Sequence, residues 1–411
     1  MRSKRLQHGA LIWNTYDAMN TEEKTSSHSL RNILTRDFVC SFLALFTFIV
    51  AYHALIPTLP IYFSRLGSNE AEIGILVGVF GVSSLIFRFV VGGALQRYSA
   101  RSIMMCGAVL FGLTFVASLV VRPFWPFFAV RFFQGAAFSC MDTAVLAFVV
   151  SVTPLANRAR VIGYFVLAPP LSQAMSPAFG MFLINQYNFT VLFLVCMVLT
   201  LCALASSYNV SAQESHRSDK DDPPRSTHYF DGKVIIPSLV SLLQNFVWGA
   251  VIAFLPLYAS RCGVSNPGLF FSANGVMLIV GRALGGKILD SYNKEKMLLI
   301  LVSTLTFAVI LLAFSKTLTM FIIVGLIWGA GSAFFFPVSM AYALDYTGTS
   351  DGTTVGTFRA ISDLGIAMGP VAMGVIIPAT GYQGMFLCLA SINFMNLCCF
   401  QFYVRKRGRR P

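Results

Sequence analysis

Charge is scarce in this sequence. Asp, Glu, Lys and Arg make up 11% of its 411 residues, whereas 56% are hydrophobic. A water-soluble domain carries about 25% charged residues, so this chain has too few to cover a water-facing surface. Acids are scarcest: 17 Asp and Glu stand against 30 Lys and Arg, a net charge of +13. Of five histidines only His53 falls in an apolar run, so a metal site has little to build on. The nine cysteines sit singly apart from Cys398-Cys399, which argues against a disulfide framework. The first 36 residues lack the apolar core of a signal peptide. Gly281 to Lys287 spells Gly-x-x-x-x-Gly-Lys, but Ile288 follows where a phosphate loop needs Ser or Thr. With no HExxH and no nucleophile elbow either, neither an enzyme nor a cofactor is expected.

What the chain has instead is apolar length. Blocks such as 39–56, 73–87, 103–121 and 191–205 approach the roughly 20 residues a helix needs to cross a bilayer. Backbone polar groups in lipid must bond within their own segment, so these blocks read as helices. Twelve spans are expected, at 37–63, 72–95, 102–121, 124–152, 159–184, 188–208, 233–258, 266–290, 297–315, 317–345, 354–378 and 382–404. With both termini cytoplasmic, 22 of the 30 basic residues fall on the inside loops, tails or adjoining helix ends, and four (Arg65, Arg122, Arg261, Lys316) fall outside. This positive-inside bias sets the orientation. It also assigns the basic excess to the anionic leaflet rather than to nucleic acid. The remaining four, Arg88, Arg131, Arg282 and Arg359, lie within spans.

Residues 209–232 are the one long polar interruption, and they divide the chain. The expected organisation is a cytoplasmic tail at 1–36, a six-helix half at 37–208, a cytoplasmic linker at 209–232, a second six-helix half at 233–404 and a basic tail at 405–411. The halves repeat. LPIYFSRLGS at Leu59 matches LPLYASRCGV at Leu255, 196 positions on, and RFVVGGALQRY at Arg88 matches RALGGKILDSY at Arg282, 194 positions on. Shared Arg, Gly and Tyr in register indicate duplication. Fused six-helix repeats are a transporter architecture with the substrate site at their interface.

Several motifs resemble those of the major facilitator superfamily. GGALQRYSAR from Gly92 is similar to its loop motif Gly-x-Leu-x-Asp-Arg-x-Gly-Arg-Lys/Arg, keeping Gly92, Arg97 and Arg101 but carrying Gln96 where Asp is usual. The second copy keeps Gly286 and Asp290. RFFQG at Arg131 resembles the fourth-helix motif Arg-x-x-Gln-Gly. SQAMSPAFG at Ser172 resembles the fifth-helix antiporter motif, with Ser172 and Ser176 in place of glycines and with Pro177 and Gly180 retained. GIAMGPVAMG, with Gly369 and Pro370, echoes it in the eleventh span. The resemblance implies an all-α membrane protein of twelve transmembrane helices in two pseudo-symmetric halves. It further implies a monomeric secondary transporter in a bacterial inner membrane, working by rocker-switch alternating access on a cavity lined by spans 1, 4, 7 and 10. Proton-coupled efflux of a small organic compound is the leading expectation. Proton-coupled uptake, facilitated transport, and a non-transporting receptor or scaffold stay open.

A charge inside a membrane is a functional candidate by default. Asp142 follows Arg131 by 11 residues, so the two share a helix face about 16 Å apart. Asp142 is either a proton carrier or a structural hydrogen-bonded acid, and Arg131 holds substrate charge, tunes a proton site or bonds carbonyls of a facing helix. Arg359 and Asp363, four apart, are spaced to pair on one face. His53 is either a proton relay or a satisfied neutral side chain. Gly92, Gln96, Arg97, Arg101, Gly286 and Asp290 form the expected gate. Ser176, Pro177, Gly180, Gly369 and Pro370 form the expected helix-packing motif.

Overall fold

The computed structural model describes residues 35–121, 124–153, 155–211, 234–291, 293–347 and 352–407, less the side chains of 155–157, 159–160, 236, 285–291, 352–353 and 403–407. Expectations for the N-terminal tail, the linker, the end of the basic tail, and the side-chain positions of Gly286 and Asp290 fall outside the described residues.

All regular structure among the described residues is helical. The helices are α1 (Arg36–Arg65), α2 (Glu70–Ala94), α3 (Ala100–Val120), α4 (Phe124–Val152), α5 (Leu155–Phe165), α6 (Ala168–Gln186), α7 (Phe189–Tyr208), α8 (Ile235–Arg261), α9 (Gly268–Ser291), α10 (Lys294–Phe314), α11 (Leu318–Thr347) and α12 (Gly352–Arg407). Nine helices among the described residues are long and apolar enough to cross a membrane. The expected segment at 159–184 is split between α5 and α6. The segments at 354–378 and 382–404 run together in α12, broken at Gly381 by a φ of 69° and ψ of 177°.

Local chemistry sets the helix ends. Thr35, Ser99 and Asn188 accept from the backbone N–H of Phe38, Ser102 and Val191, supplying partners for N–H groups a helix start leaves free. Asn69 and Glu72 form a reciprocal capping box at α2. The α5–α6 break has a covalent cause. Pro169 and Pro170 have no N–H to return to the carbonyls of Phe165 and Val166, and the helix resumes with the bond from Leu171 N–H to Leu167 O.

The duplication is visible in the backbone. Gly67 and Gly263, 196 positions apart, both take positive φ, 89° and 79°. Each closes a Schellman turn, with Ser68 N–H bonding Phe63 O and Val264 N–H bonding Ala259 O. The hydroxyls of Tyr62 and Tyr258, in the same repeat, donate to the carbonyls of Ser118 and Ala313. Ser99 and Asn293 cap corresponding helices.

Helices α1–α7 pack on one another, as do α8–α12, and two equivalent seams join the sets, α2 against α12 and α6 against α9. The seams are tight at one end of the molecule only. We call the end where α1 starts and α12 finishes the terminal face, and the other the distal face. Toward the distal face a Cβ on Gly74 or Gly78 would strike the backbone of Pro370 or Ala367, and one on Gly268 or Gly275 would strike Pro177 or Ala174. Toward the terminal face a Cβ on Gly92, Gly93, Gly163 or Gly356 would meet nothing within 4 Å. The distal side is therefore closed by backbone-to-backbone packing of a kind these terminal-face glycines do not make.

Candidate functional site

Where the seams meet lies a cavity of about 310 Å³, at the lower end of the range for small-ligand sites. Its walls come from α1, α2, α4, α6, α8 and the first part of α12, and include Tyr52, His53, Phe80, Arg88, Arg131, Phe138, Asp142, Arg359 and Asp363. Spans 1, 4 and 7 contribute as expected. The tenth span (α11) does not line this cavity; α2 and α12 do instead, because their tight seam forms its side wall.

Arg88 organises the charges. Its Nη1 donates to Asp363 Oδ2 at 2.7 Å, and its Nη2 donates to Asp142 Oδ2 at 3.3 Å. One guanidinium thus bridges carboxylates from α4 and α12, across the α2–α12 seam. The three side chains keep 23%, 30% and 28% of their surface exposed for Arg88, Asp142 and Asp363, so each carboxylate remains open to a proton or a solute. Asp363 finds Arg88 rather than Arg359, the partner its helical spacing suggests. Arg359 forms no ion pair within 4 Å among the described residues.

Arg131 is 6% exposed. Its Nε donates to Leu76 O at 2.9 Å and its Nη1 to Gln134 Oε1 at 2.8 Å. Its guanidinium lies 4.7 Å over the Phe80 ring, a cation–π geometry. Phe80 stacks in turn on Tyr52, with centroids 5.1 Å apart. His53 is buried and its Nδ1 lies 2.9 Å from Ser172 Oγ, which is 3.2 Å from Ser176 Oγ. The two serines that replace motif glycines thus supply a hydrogen-bonded chain to the one buried histidine among the described residues.

The other predicted residues are more dispersed. Gly180 packs on Ala54, Gly369 on Phe246 and Pro370 on Gly74, while Pro177 receives Gly268. Gly92 meets nothing within 4 Å, and Arg97 is exposed. Gln96 is exposed and makes an interaction of its own. Arg101 lies 4.6 Å over the Tyr208 ring at the end of α7, within the first set of helices rather than across the seam.

Sequence reasoning left Arg88 out of the site, although two signals marked it. It is one of four arginines inside spans, and it repeats as Arg282. The structure gives that repeat a common geometry, since Arg282 on α9 donates to the carbonyl of Val166 across the α6–α9 side of the interface. That carbonyl is the one Pro170 deprives of its helical donor. Also unforeseen is a distal-face contact, in which Glu70 on α2 bonds Arg261 on α8 at 2.9 Å, with Tyr382 beneath the guanidinium.

Residues 41–316 and 271–411 each match the sequence model of the Major Facilitator Superfamily. The staphylopine export protein of Staphylococcus aureus is 23% identical over 375 residues, covering 86% of this chain and 92% of that protein. An uncharacterized MFS-type transporter of Methanocaldococcus jannaschii is 23% identical over 353 residues, covering 83% and 91%. Among solved structures, the nucleoside transporter NupG superposes with a TM-score of 0.74 at 13% identity, covering 89% of this chain and 98% of that one. A POT family transporter in complex with a thioalcohol conjugated peptide gives 0.73 at 14% identity, covering 90% and 96%.

Proposed function

Because the chain belongs to the Major Facilitator Superfamily, we propose that it is a proton-coupled secondary transporter that exports a small organic compound by alternating access. The observation that carries this reading is the Arg88 bridge. A proton on Asp363 cancels the charge that ties α12 to Arg88 on α2, and a proton on Asp142 cancels the one that ties α4 to the same guanidinium. Protonation therefore changes the energy of a seam that must open and close, and a ligand moves a two-state equilibrium only through such a difference between states. The tight distal seams fit one end-state of that cycle, closed at the distal face.

Export is supported by the staphylopine export protein, whose name gives that direction. The positive-inside bias makes the terminal face cytoplasmic, in the inner membrane of a bacterium. The cavity is complete within one chain, which supports a monomer.

The test is transport by the purified protein in proteoliposomes under an imposed proton gradient, with an internal pH dye reporting proton movement as compounds are added. Asp142→Asn and Asp363→Asn are each expected to cut gradient-driven transport by at least about tenfold, the loss of one charge-dependent interaction of about 1.4 kcal/mol. If both variants keep full coupling, the proton sites lie elsewhere. Direction is read in a host lacking its own pumps, where export lowers compound accumulation and uptake raises it.

A further inference from the structure

The cavity holds three arginines and two aspartates, but the excess charge is not spread evenly. Arg88 and Arg359 balance Asp142 and Asp363 at the end nearer the terminal face. Arg131 is left without a carboxylate, although it is more than nine-tenths buried. Its Nε and Nη1 are occupied by Leu76 and Gln134, and no bond is made by Nη2 to any described residue. A buried guanidinium with an open donor on a cavity wall is a place for an oxyanion, since charge-assisted bonds to a fixed planar fork are the strong ones. At the other end, Asp142 and Asp363 are each held, among the described residues, by Arg88 alone and keep open acceptor positions.

We infer that the transported solute is a zwitterion with its charges at opposite ends, its anionic group on Arg131 and its cationic group at Asp142 and Asp363. This rests on the reading of the cavity as the transport site. The separation follows from α4 itself. Arg131 and Asp142 are 11 residues apart on one helix, about 16 Å of rise along its axis. An α-amino acid, whose charges sit on adjacent carbons, cannot engage both poles. An ω-amino acid or a short peptide can, and its middle would lie along the aromatic wall of Tyr52, Phe80 and Phe138. The same arrangement explains exchange. A cationic group arriving at Asp142 and Asp363 takes the place a proton would hold, so solute and protons compete for one end of the cavity. A simple anion would instead bind best when both aspartates are protonated, and would travel with the proton.

Isomers test this directly. 6-Aminohexanoate and norleucine have the same atoms and differ in where the amino group sits. Hexanoate and hexylammonium each carry one of the two charges. The readout is the thermal midpoint of the purified full-length protein with each probe at tens of millimolar. A bound probe stabilises by mass action, and tenfold saturation corresponds to about 1.6 °C for a protein of this size. The expected result is a shift of that order with 6-aminohexanoate and smaller shifts with the other three. Arg131→Lys, which keeps a cation but loses the fork, should reduce the shift, and so should Asp363→Asn. Equal shifts for 6-aminohexanoate and norleucine, or a larger shift with hexanoate, would overturn the inference, as would no shift with any probe. Proton-driven transport in proteoliposomes that survives such a result would leave the transporter reading standing and remove only the solute class.

Discussion

Arg88 is the side chain whose removal should reveal most. Arg88→Gln leaves two carboxylates facing each other without their cation, and breaking a partly buried pair from one side is the costly way to break it. A loss of about 1–3 kcal/mol is expected, read as a lower thermal midpoint. Arg88→Gln with Asp363→Asn should recover part of that loss, since one of the stranded charges goes too. His53 makes a contrasting case. Its ring is buried against Ser172 Oγ, and Ser172→Ala should cost about 1 kcal/mol by leaving it without that partner. His53→Asn can keep a bond to the serine without carrying a proton. Transport that persists in His53→Asn would assign the histidine to packing, and transport that fails there while Ser172→Ala works would assign it to the proton path. The candidate site was only half legible in the sequence for a plain reason. Asp142 and Asp363 announce themselves as acids in apolar runs, but their shared partner is 54 residues from one and 275 from the other. Spacing along one helix favoured Arg359 for Asp363, and tertiary packing brought Arg88 closer.

At the scale of helices, proline and glycine carry the mechanics. Pro170 removes the N–H that would bond Val166 O, and Arg282 takes that carbonyl from across the interface. Pro170→Ala restores the missing donor and should straighten the α5–α6 break, loosening Arg282. The expected sign is higher thermal stability with slower transport, measured on the same purified protein. Glycines divide by face. Gly78→Leu drives a side chain into Ala367 and Val371, which should lower stability by about 1–3 kcal/mol through overpacking. Gly92→Leu meets open space here and should leave stability within about 0.5 kcal/mol. If the terminal side closes during transport, Gly92→Leu will still abolish flux, and that pairing of intact stability with lost flux is the signature of a second state. The fold was far more legible than the site, because apolar length and the 194- to 196-residue repeat are local or periodic signals. The α5–α6 break was less so. Pro169-Pro170 is conspicuous in the sequence, but proline is tolerated in membrane helices wherever a neighbour supplies the lost bond, and that neighbour, Arg282, lies 116 residues away.

For the whole molecule, the question is how firmly the distal face is shut and which way it points. Cys262 ends α8 at that face beside Arg261, and Cys40 lies near the start of α1 at the terminal face. An impermeant maleimide added to intact cells should therefore modify Cys262 and spare Cys40, and the reverse pattern would invert the orientation. The same cysteine reports on closure. Glu70 and Arg261 join α2 to α8, and Tyr382 from α12 both donates to Glu70 and underlies the guanidinium. Asn185 and Asn266 add bonds to the carbonyls of Ser265 and Ala178 between α6 and the start of α9. The ion pair itself is a weak latch, because Arg261 is 65% exposed and exposed pairs contribute about 0.2–1 kcal/mol. Most of the closure must then come from the glycine-lined backbone seams. Glu70→Gln should accordingly raise the rate of Cys262 modification by only about twofold, the population shift that about 0.5 kcal/mol produces. Gly78→Leu should raise it by far more, since it wedges the seam rather than unfastening its edge. A Glu70→Gln effect as large as that of Gly78→Leu would place the closing energy in the ion pair and not in the packing of α2 against α12.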